Sequence, residues 1–200
     1  VSPYVFVTAR NNYTSNYFLG PTNIYGATDP DYVAGEGWFD AGFNMGGSVT
    51  KNINTPNAFS NGPESEIKFN LIGASNYANL SPDHHVIINF ADVNIDTLYE
   101  GYKVLNFKKY LSSSKLNNSN TFTFTSIPIQ GNGADRNTIG YISIKYPYKT
   151  DLNMSNNLKF SIPDAANQSK TYLNFTNYNV SSFDTVKIYD ISNHRIIKTL

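Results

Sequence analysis

Residue types that could carry nucleophilic or acid–base chemistry are few in this chain. The 200 residues contain no cysteine, which excludes a thiolate nucleophile, a thiolate zinc site and a disulfide framework within them. His84 and His85 are neighbours at the start of an alternating segment, where successive side chains point to opposite faces. We therefore predict one packed and one solvated histidine. Because no Gly-x-Ser-x-Gly nucleophile elbow is present, we predict no catalytic residue and no enzyme activity in this segment.

Carboxylates could instead hold a structural Ca²⁺ ion. Asp29, Asp31 and Glu36 lie in ATDPDYVAGEGW, and Asp135 lies in the loop formed by residues 131–137. Neither segment has the spacing of glycine and bidentate glutamate that defines the EF-hand loop, so solvated turns are the preferred interpretation. We expect no metal and no cofactor.

Aromatic residues are concentrated around the only tryptophan, Trp38, which is followed by Phe39 and shares its run with Phe43. Exposed, this cluster would form a platform for sugar rings; buried, it would be the heaviest part of the core. The core is the favoured interpretation. Glu36, Trp38 and Phe39 are nevertheless the candidate binding residues.

Charge and hydropathy exclude two classes of partner. Charged residues make up 15% of the chain and the formal net charge is zero, so the basic surface that nucleic-acid binding requires is missing. No apolar run approaches the length of a membrane span. Since the chain begins at Val1 and stops at Leu200 within an apolar run, we expect it to be a piece of a longer protein.

The elements that must position these residues are strands. Period-2 alternation predicts strands over residues 66–72, 85–91, 121–125, 139–146 and 185–191, while residues 107–116 are expected to form a short helix or a loop. Gly, Pro and Asn clusters between the strands suit antiparallel hairpins. The pattern predicts an all-β fold, an antiparallel β-sandwich of jelly-roll type.

Two domain arrangements are compatible with this pattern. Residues 1–162 are expected to form the β-sandwich, and residues 163–200 to add further strands. Those strands either complete the sandwich or open a small additional β unit, with the joint at DAANQS, residues 164–169.

Four segments occur in the same order as in a known family. EGWFDAGF (residues 36–43) is similar to a Glu-x-Trp-Phe/Tyr segment, and HHVIINFADVNI (84–95) to a pair of strands around a short loop. YISIKYPY (141–148) is similar to a strand ending in Tyr-Pro-Arg, with Tyr148 in place of Arg, and VKIYDIS (186–192) to a Val-x-Asp-Val/Ile-Thr segment. Over residues 35–200 the chain thus resembles the non-catalytic β region that precedes the peptidase domain in the type IX secretion sortase of Bacteroidetes, a gingipain-like cysteine peptidase.

The resemblance implies an accessory domain outside the cytoplasm, in the periplasm or at the outer-membrane surface. In that family the catalytic Cys and His lie downstream of this region, and the full protein removes the secretion signal of cargo proteins and joins them to lipopolysaccharide. The implied partners are the downstream peptidase domain, secretion-system proteins and surface polysaccharide.

Two alternatives remain open at this point. A carbohydrate-binding module would expose Trp38 or several tyrosines as coplanar rings. An adhesin or surface-structure domain would join its neighbours by pairing of edge strands.

Overall fold

The computed structural model describes residues 1–155, 157–162, 172–179 and 186–197. Strands and one 3₁₀ turn, Ser113–Lys115, are the regular structure in these ranges, and no α-helix occurs among them. The strands are β1 Tyr4–Asn12, β2 Asn16–Leu19, β3 Glu36–Phe39, β4 Phe43–Asn44, β5 Ser48–Asn54, β6 Ser65–Gly73, β7 His84–Phe90, β8 Val93–Tyr99, β9 Val104–Leu111, β10 Ser119–Ser126, β11 Arg136–Thr138, β12 Tyr141–Lys149, β13 Ile188–Asp190 and β14 Arg195–Ile197.

Two antiparallel sheets pack face to face. The larger contains β1, β12, β6, β11 and β4 in that order, and β9 pairs with β6. The smaller has the order β5-β10-β7-β8. Two short ribbons, β2–β3 and β13–β14, complete the described strands. The predicted all-β sandwich with antiparallel pairing is confirmed.

Aromatic rings fill the space between the sheets. Phe69 of β6 lies 5.7 Å from Phe122 and 5.8 Å from Phe124 of β10, measured between ring centroids, and Phe90 of β7 stacks on Phe122 at 4.1 Å. All four are buried. Because strand side chains alternate, Thr123, between Phe122 and Phe124, points to the other face of β10. Burial of each such ring contributes about 1.5–3 kcal/mol.

Asn70 lets two strands share one edge of β6. β12 pairs with residues 66–69 and β11 with residues 72–73, but the register between the two blocks shifts by one residue. The shift leaves two backbone amides without a strand partner. The side-chain oxygen of Asn70 accepts a hydrogen bond from each of them, from Gly140 at 2.7 Å and from Tyr141 at 3.0 Å. This buried amide therefore bridges a β-bulge.

Residues 107–111 correct a prediction. They were expected in a short helix or loop, but they belong to β9, which pairs with β6 along its whole length. The ring of Phe107 stacks on Phe69 at 4.9 Å, which binds the segment to the sheet. Lys108 and Lys109 break the alternation in the sequence, which hid the strand. Within residues 107–116, helical geometry is confined to the 3₁₀ turn.

Beyond β12, some described residues run beside β1. Phe6 pairs with Ser161 and Ser2 with Leu173, and the rings of Phe160 and Phe175 lie 5.1 Å apart. The predicted joint at residues 164–169 lies outside the described residues, and the division at residue 162 remains a prediction. No helix in the described ranges is long and apolar enough to cross a membrane.

The central position of Phe122 makes it a sensitive probe of the sandwich. We expect Phe122→Ala to lower the free energy of unfolding by about 3–5 kcal/mol, because the deletion leaves a cavity between Phe69 and Phe90. Thr121→Ala, on the exposed face of the same strand, should cost less than about 1 kcal/mol. Urea denaturation of both variants measures the difference, and equal losses would contradict this account of the core.

Candidate functional site

The ribbon β2–β3 presents an exposed face with two aromatic rings. Tyr17 pairs with Trp38 and Leu19 with Glu36, so these four side chains point the same way. The indole of Trp38 is 59% exposed and Tyr17 is 45% exposed. Their rings meet edge to face, with centroids 5.5 Å apart and planes at 65°. We call Tyr17, Leu19, Glu36 and Trp38 the aromatic face.

The opposite face of the ribbon packs against the larger sheet. Phe18 and Phe39 lie 6.0 Å apart between ring centroids and pack with Ile72 in a small buried cluster. With Phe39 turned inward, period-2 alternation turns Trp38 outward. The expectation that Trp38 belongs to the core is therefore wrong, although Phe39 and Phe43 are buried as expected. Of the candidate binding residues, Glu36 and Trp38 share the aromatic face and Phe39 lies beneath it.

Glu36 holds the tyrosines around this face. The Tyr17 hydroxyl donates a hydrogen bond to Glu36 Oε1, and the Val33 amide donates to Oε2 at 3.3 Å. The hydroxyl of Tyr32, itself exposed, donates to the backbone carbonyl of Glu36 at 2.5 Å. The hydrogen bond to Glu36 is the main cause that raises the pKa of Tyr17 above its usual value. Glu36 thus fixes the positions of the Tyr17 and Tyr32 rings through their hydroxyl groups.

An open groove of 290 Å³ adjoins the aromatic face. Its exposed wall is more polar than apolar, and it includes the cationic side chain of Arg136 from β11. Gly20 and Gly35, at φ +67° and +82°, shape the wall where the chain leaves β2 and returns to β3. The lining residues are Asn16, Tyr17, Phe18, Leu19, Gly20, Thr22, Gly35, Ala74, Tyr102 and Arg136. Nothing in the sequence pattern indicated Arg136 as a site residue.

The carboxylates considered as Ca²⁺ ligands lie in two different settings. Asp29 and Asp31 occupy an exposed turn, in which the Asp31 amide donates to Asp29 Oδ1 at 3.0 Å, as predicted for a solvated turn. Asp135 is instead buried, so its predicted solvated setting is wrong. Within the described ranges, no group of three or more His, Cys, Asp or Glu residues is arranged to hold a metal ion.

The Asp135 carboxylate can be buried because three neighbouring side chains satisfy its oxygens. Its Oδ1 lies 2.6 Å from His84 Nδ1 and accepts from Asn137 Nδ2 at 2.7 Å, and its Oδ2 accepts from Ser126 Oγ at 2.5 Å. Since Ser126 bonds the carboxylate rather than the imidazole, these residues do not form a hydrolytic triad. His84, Asp135 and Ser126 are all buried, which favours a structural role.

Both ring nitrogens of His84 face acceptors, an arrangement that favours the doubly protonated imidazolium. Nδ1 faces Asp135, Nε2 lies 3.0 Å from the Ser75 carbonyl and 3.6 Å from Asp83 Oδ1, and both contacts suit an imidazolium. The Tyr99 ring stacks on it at 4.5 Å. Burial acts to lower the pKa of His84, but the hydrogen bonds to Asp135 and Ser75, with the nearby carboxylates, raise it overall.

His85 points to the opposite face of β7, where Nε2 lies 2.7 Å from Asp96 Oδ1 and the side chain is partly exposed. The prediction that the paired histidines occupy opposite faces is confirmed.

Comparison with solved structures gives weak likenesses, of which two are described. No family model and no curated protein matches the chain. The CBM36-1 domain of a multidomain xylanase from the hindgut metagenome of Trinervitermes trinervoides is similar over 70% of this chain and 95% of its own, with 10% identity and a TM-score of 0.33. A ruminal GH26 endo-β-1,4-mannanase is similar over 68% of this chain and 25% of its own, with 11% identity and a TM-score of 0.33.

The raised pKa of the buried His84 predicts a pH dependence of stability. Because the pKa of His84 is raised in the folded state, its contribution is complete below the unfolded value of about 6.5 and is lost as pH rises through the folded pKa. We expect the free energy of unfolding to fall over that range in the wild type and to be flatter in His84→Asn. His85→Gln is the control and should keep the fall. Denaturant titrations across pH measure it, and a fall that persists in His84→Asn would refute the assignment.

Proposed function

We propose that this chain is a non-catalytic binding module that takes a glycan on the aromatic face. The observation that carries the proposal is the exposed Trp38 indole, held beside Tyr17 and Glu36 at the edge of a polar groove. Ligand sites combine apolar or aromatic surface with a few placed polar groups. Sugar rings have both kinds of surface, since their C–H faces pack on aromatic rings while their hydroxyls need hydrogen-bond partners.

The relative orientation of the Tyr17 and Trp38 rings favours a single stacking position for a sugar. Coplanar rings were expected for a carbohydrate-binding module, but the planes of Tyr17 and Trp38 meet at 65°. A sugar stacked on Trp38 would therefore meet the edge and hydroxyl of Tyr17 rather than a second flat ring. The Tyr17 hydroxyl already donates to Glu36, which leaves its lone pairs free to accept from a sugar hydroxyl.

Loss of the indole should remove binding. We expect Trp38→Ala to weaken glycan affinity at least about tenfold, since truncation of a central aromatic contact commonly has effects of this size. Tyr110→Ala, which removes an exposed ring on β9, is the matched control and should bind like the wild type. A glycan array followed by calorimetry on the best ligand measures both. Equal affinities for wild type and Trp38→Ala would refute the proposal.

A second candidate function is an accessory module of a type IX secretion sortase-like peptidase. The collinear resemblance over residues 35–200 supports it, and the EGWF segment of that resemblance contributes Glu36 and Trp38 to the aromatic face. In this role the aromatic face would pack on the downstream peptidase domain, in the periplasm or at the outer-membrane surface. Exposed apolar side chains of the same region, Leu19, Ile24 and Tyr25, would join that contact.

The two candidates predict different accessibility of Trp38 in a longer protein. If the aromatic face packs on a downstream domain, oxidation of Trp38 by hydroxyl radicals should be strong in the 200-residue chain and weak in the longer protein. Tyr110 should react equally in both. If Trp38 stays reactive in the longer protein, the domain-packing role is excluded and the glycan-binding role is retained.

A further inference from the structure

Arg136 is a positioned cation in the groove beside the aromatic face. Its backbone is fixed in the sheet, because its amide donates to Ser75 Oγ at 2.9 Å and its carbonyl accepts from the Ala74 amide at 2.8 Å. The residues on either side of it, Asp135 directly before β11 and Asn137 within β11, are buried and point inward. Alternation therefore sends the Arg136 side chain outward, where it lines the groove.

The guanidinium group contacts two parts of the chain. Its Cζ lies 5.0 Å from the centroid of the Phe18 ring, a cation–π contact. The side chain also lies against Gly42, where an added Cβ would come within 2.5 Å of Arg136 Nε and 3.2 Å of its Cγ. A held guanidinium loses less conformational entropy when it binds a ligand than a free one does.

No carboxylate of the described residues forms an ion pair with Arg136. Several other cations have such partners: Lys51 pairs with Asp40, Lys108 with Glu66, and Lys115 with Asp92. Glu36, the acid on the neighbouring aromatic face, is occupied by the Tyr17 hydroxyl and the Val33 amide and does not line the groove. Among the described residues, the guanidinium thus has no hydrogen-bond acceptor or ion-pair partner, and the groove presents one fixed positive charge.

We infer that the glycan bound here carries an anionic group, a carboxylate or a phosphate, that pairs with Arg136 while a neighbouring sugar ring stacks on Trp38. The inference rests on the proposed glycan-binding function and adds the chemical class of the ligand. A planar guanidinium matches both anions because it can donate two parallel hydrogen bonds to a pair of oxygens. Asn16 and Thr22 line the same groove and offer neutral polar groups for sugar hydroxyls.

The test uses matched ligands that differ only in charge. One pair is an oligogalacturonide and its methyl ester; the other is a phosphorylated oligomannose and the same sugar after phosphatase treatment. We expect the wild type to prefer the charged member of at least one pair by about tenfold to a hundredfold, the range typical of hydrogen bonds to charged groups. The preference should shrink as NaCl concentration rises. The pair that shows it distinguishes carboxylate from phosphate.

Three variants separate the charge from its position. Arg136→Gln should abolish the preference, because the charged members lose their cationic partner and then bind no more tightly than the neutral ones. Gly42→Ala keeps the charge but displaces the side chain, and it should also reduce the preference. Arg10→Gln is the matched control, because Arg10 is exposed and its Cζ lies 4.0 Å from the centroid of another ring, Tyr141. This control should keep the wild-type preference.

The outcomes distinguish failure of the ligand class from failure of the function. If Trp38 is needed for binding but charged and neutral members bind alike, the inference is overturned and glycan binding stands. If the preference persists in Arg136→Gln, the anion lies elsewhere and the inference is likewise overturned. If none of these sugars binds to the wild type, the anionic-glycan inference is rejected, and a glycan array without any Trp38-dependent ligand would reject the function as well.

Discussion

Strand β6 is hydrogen-bonded along both edges, to β9 on one side and to β12 and β11 on the other, while its inward side chains pack against β10. This arrangement depends on Asn70. Its side-chain oxygen accepts hydrogen bonds from the two backbone amides that the one-residue shift between β12 and β11 leaves without a strand partner. The shift sets which residues of β11 face inward. Through it, the central strand fixes the position of Arg136 and hence part of the wall of the groove.

A buried cluster of charged and polar side chains supports strand β11 from the core side. Asp135, directly before β11, accepts hydrogen bonds from Ser126 at the end of β10 and from Asn137 within β11, and it pairs with His84 at the start of β7. Burying such charges is costly, and the cost is offset only where each lone pair and proton has a partner. The cluster therefore ties β11 to the smaller sheet at one defined position. Removing one partner would leave an uncompensated charge in the core.

The sequence was sufficient for the fold class because alternation is local, and Phe122 and Phe124 of β10 show it without reference to any other strand. The site was less predictable. The exposure of Trp38 follows from its pairing with Tyr17, which lies before the long connection formed by residues 20–35. In the sequence, Trp38 and Phe39 are adjacent, and this does not reveal which of the two rings is buried. Asp135 looked like a loop acid because its partner His84 is 51 residues away.

The proposed occupants of the aromatic face make different demands on Arg136. A protein domain packed over the groove would remove water from the guanidinium, and a buried charge without a partner is strongly unfavourable. Such a domain would have to supply a carboxylate at this point and apolar surface around Trp38. A glycan leaves the groove partly hydrated and needs only one anionic substituent near a stacked ring. Because the exposed wall of the groove is more polar than apolar, the hydrated occupant fits the observed surface better.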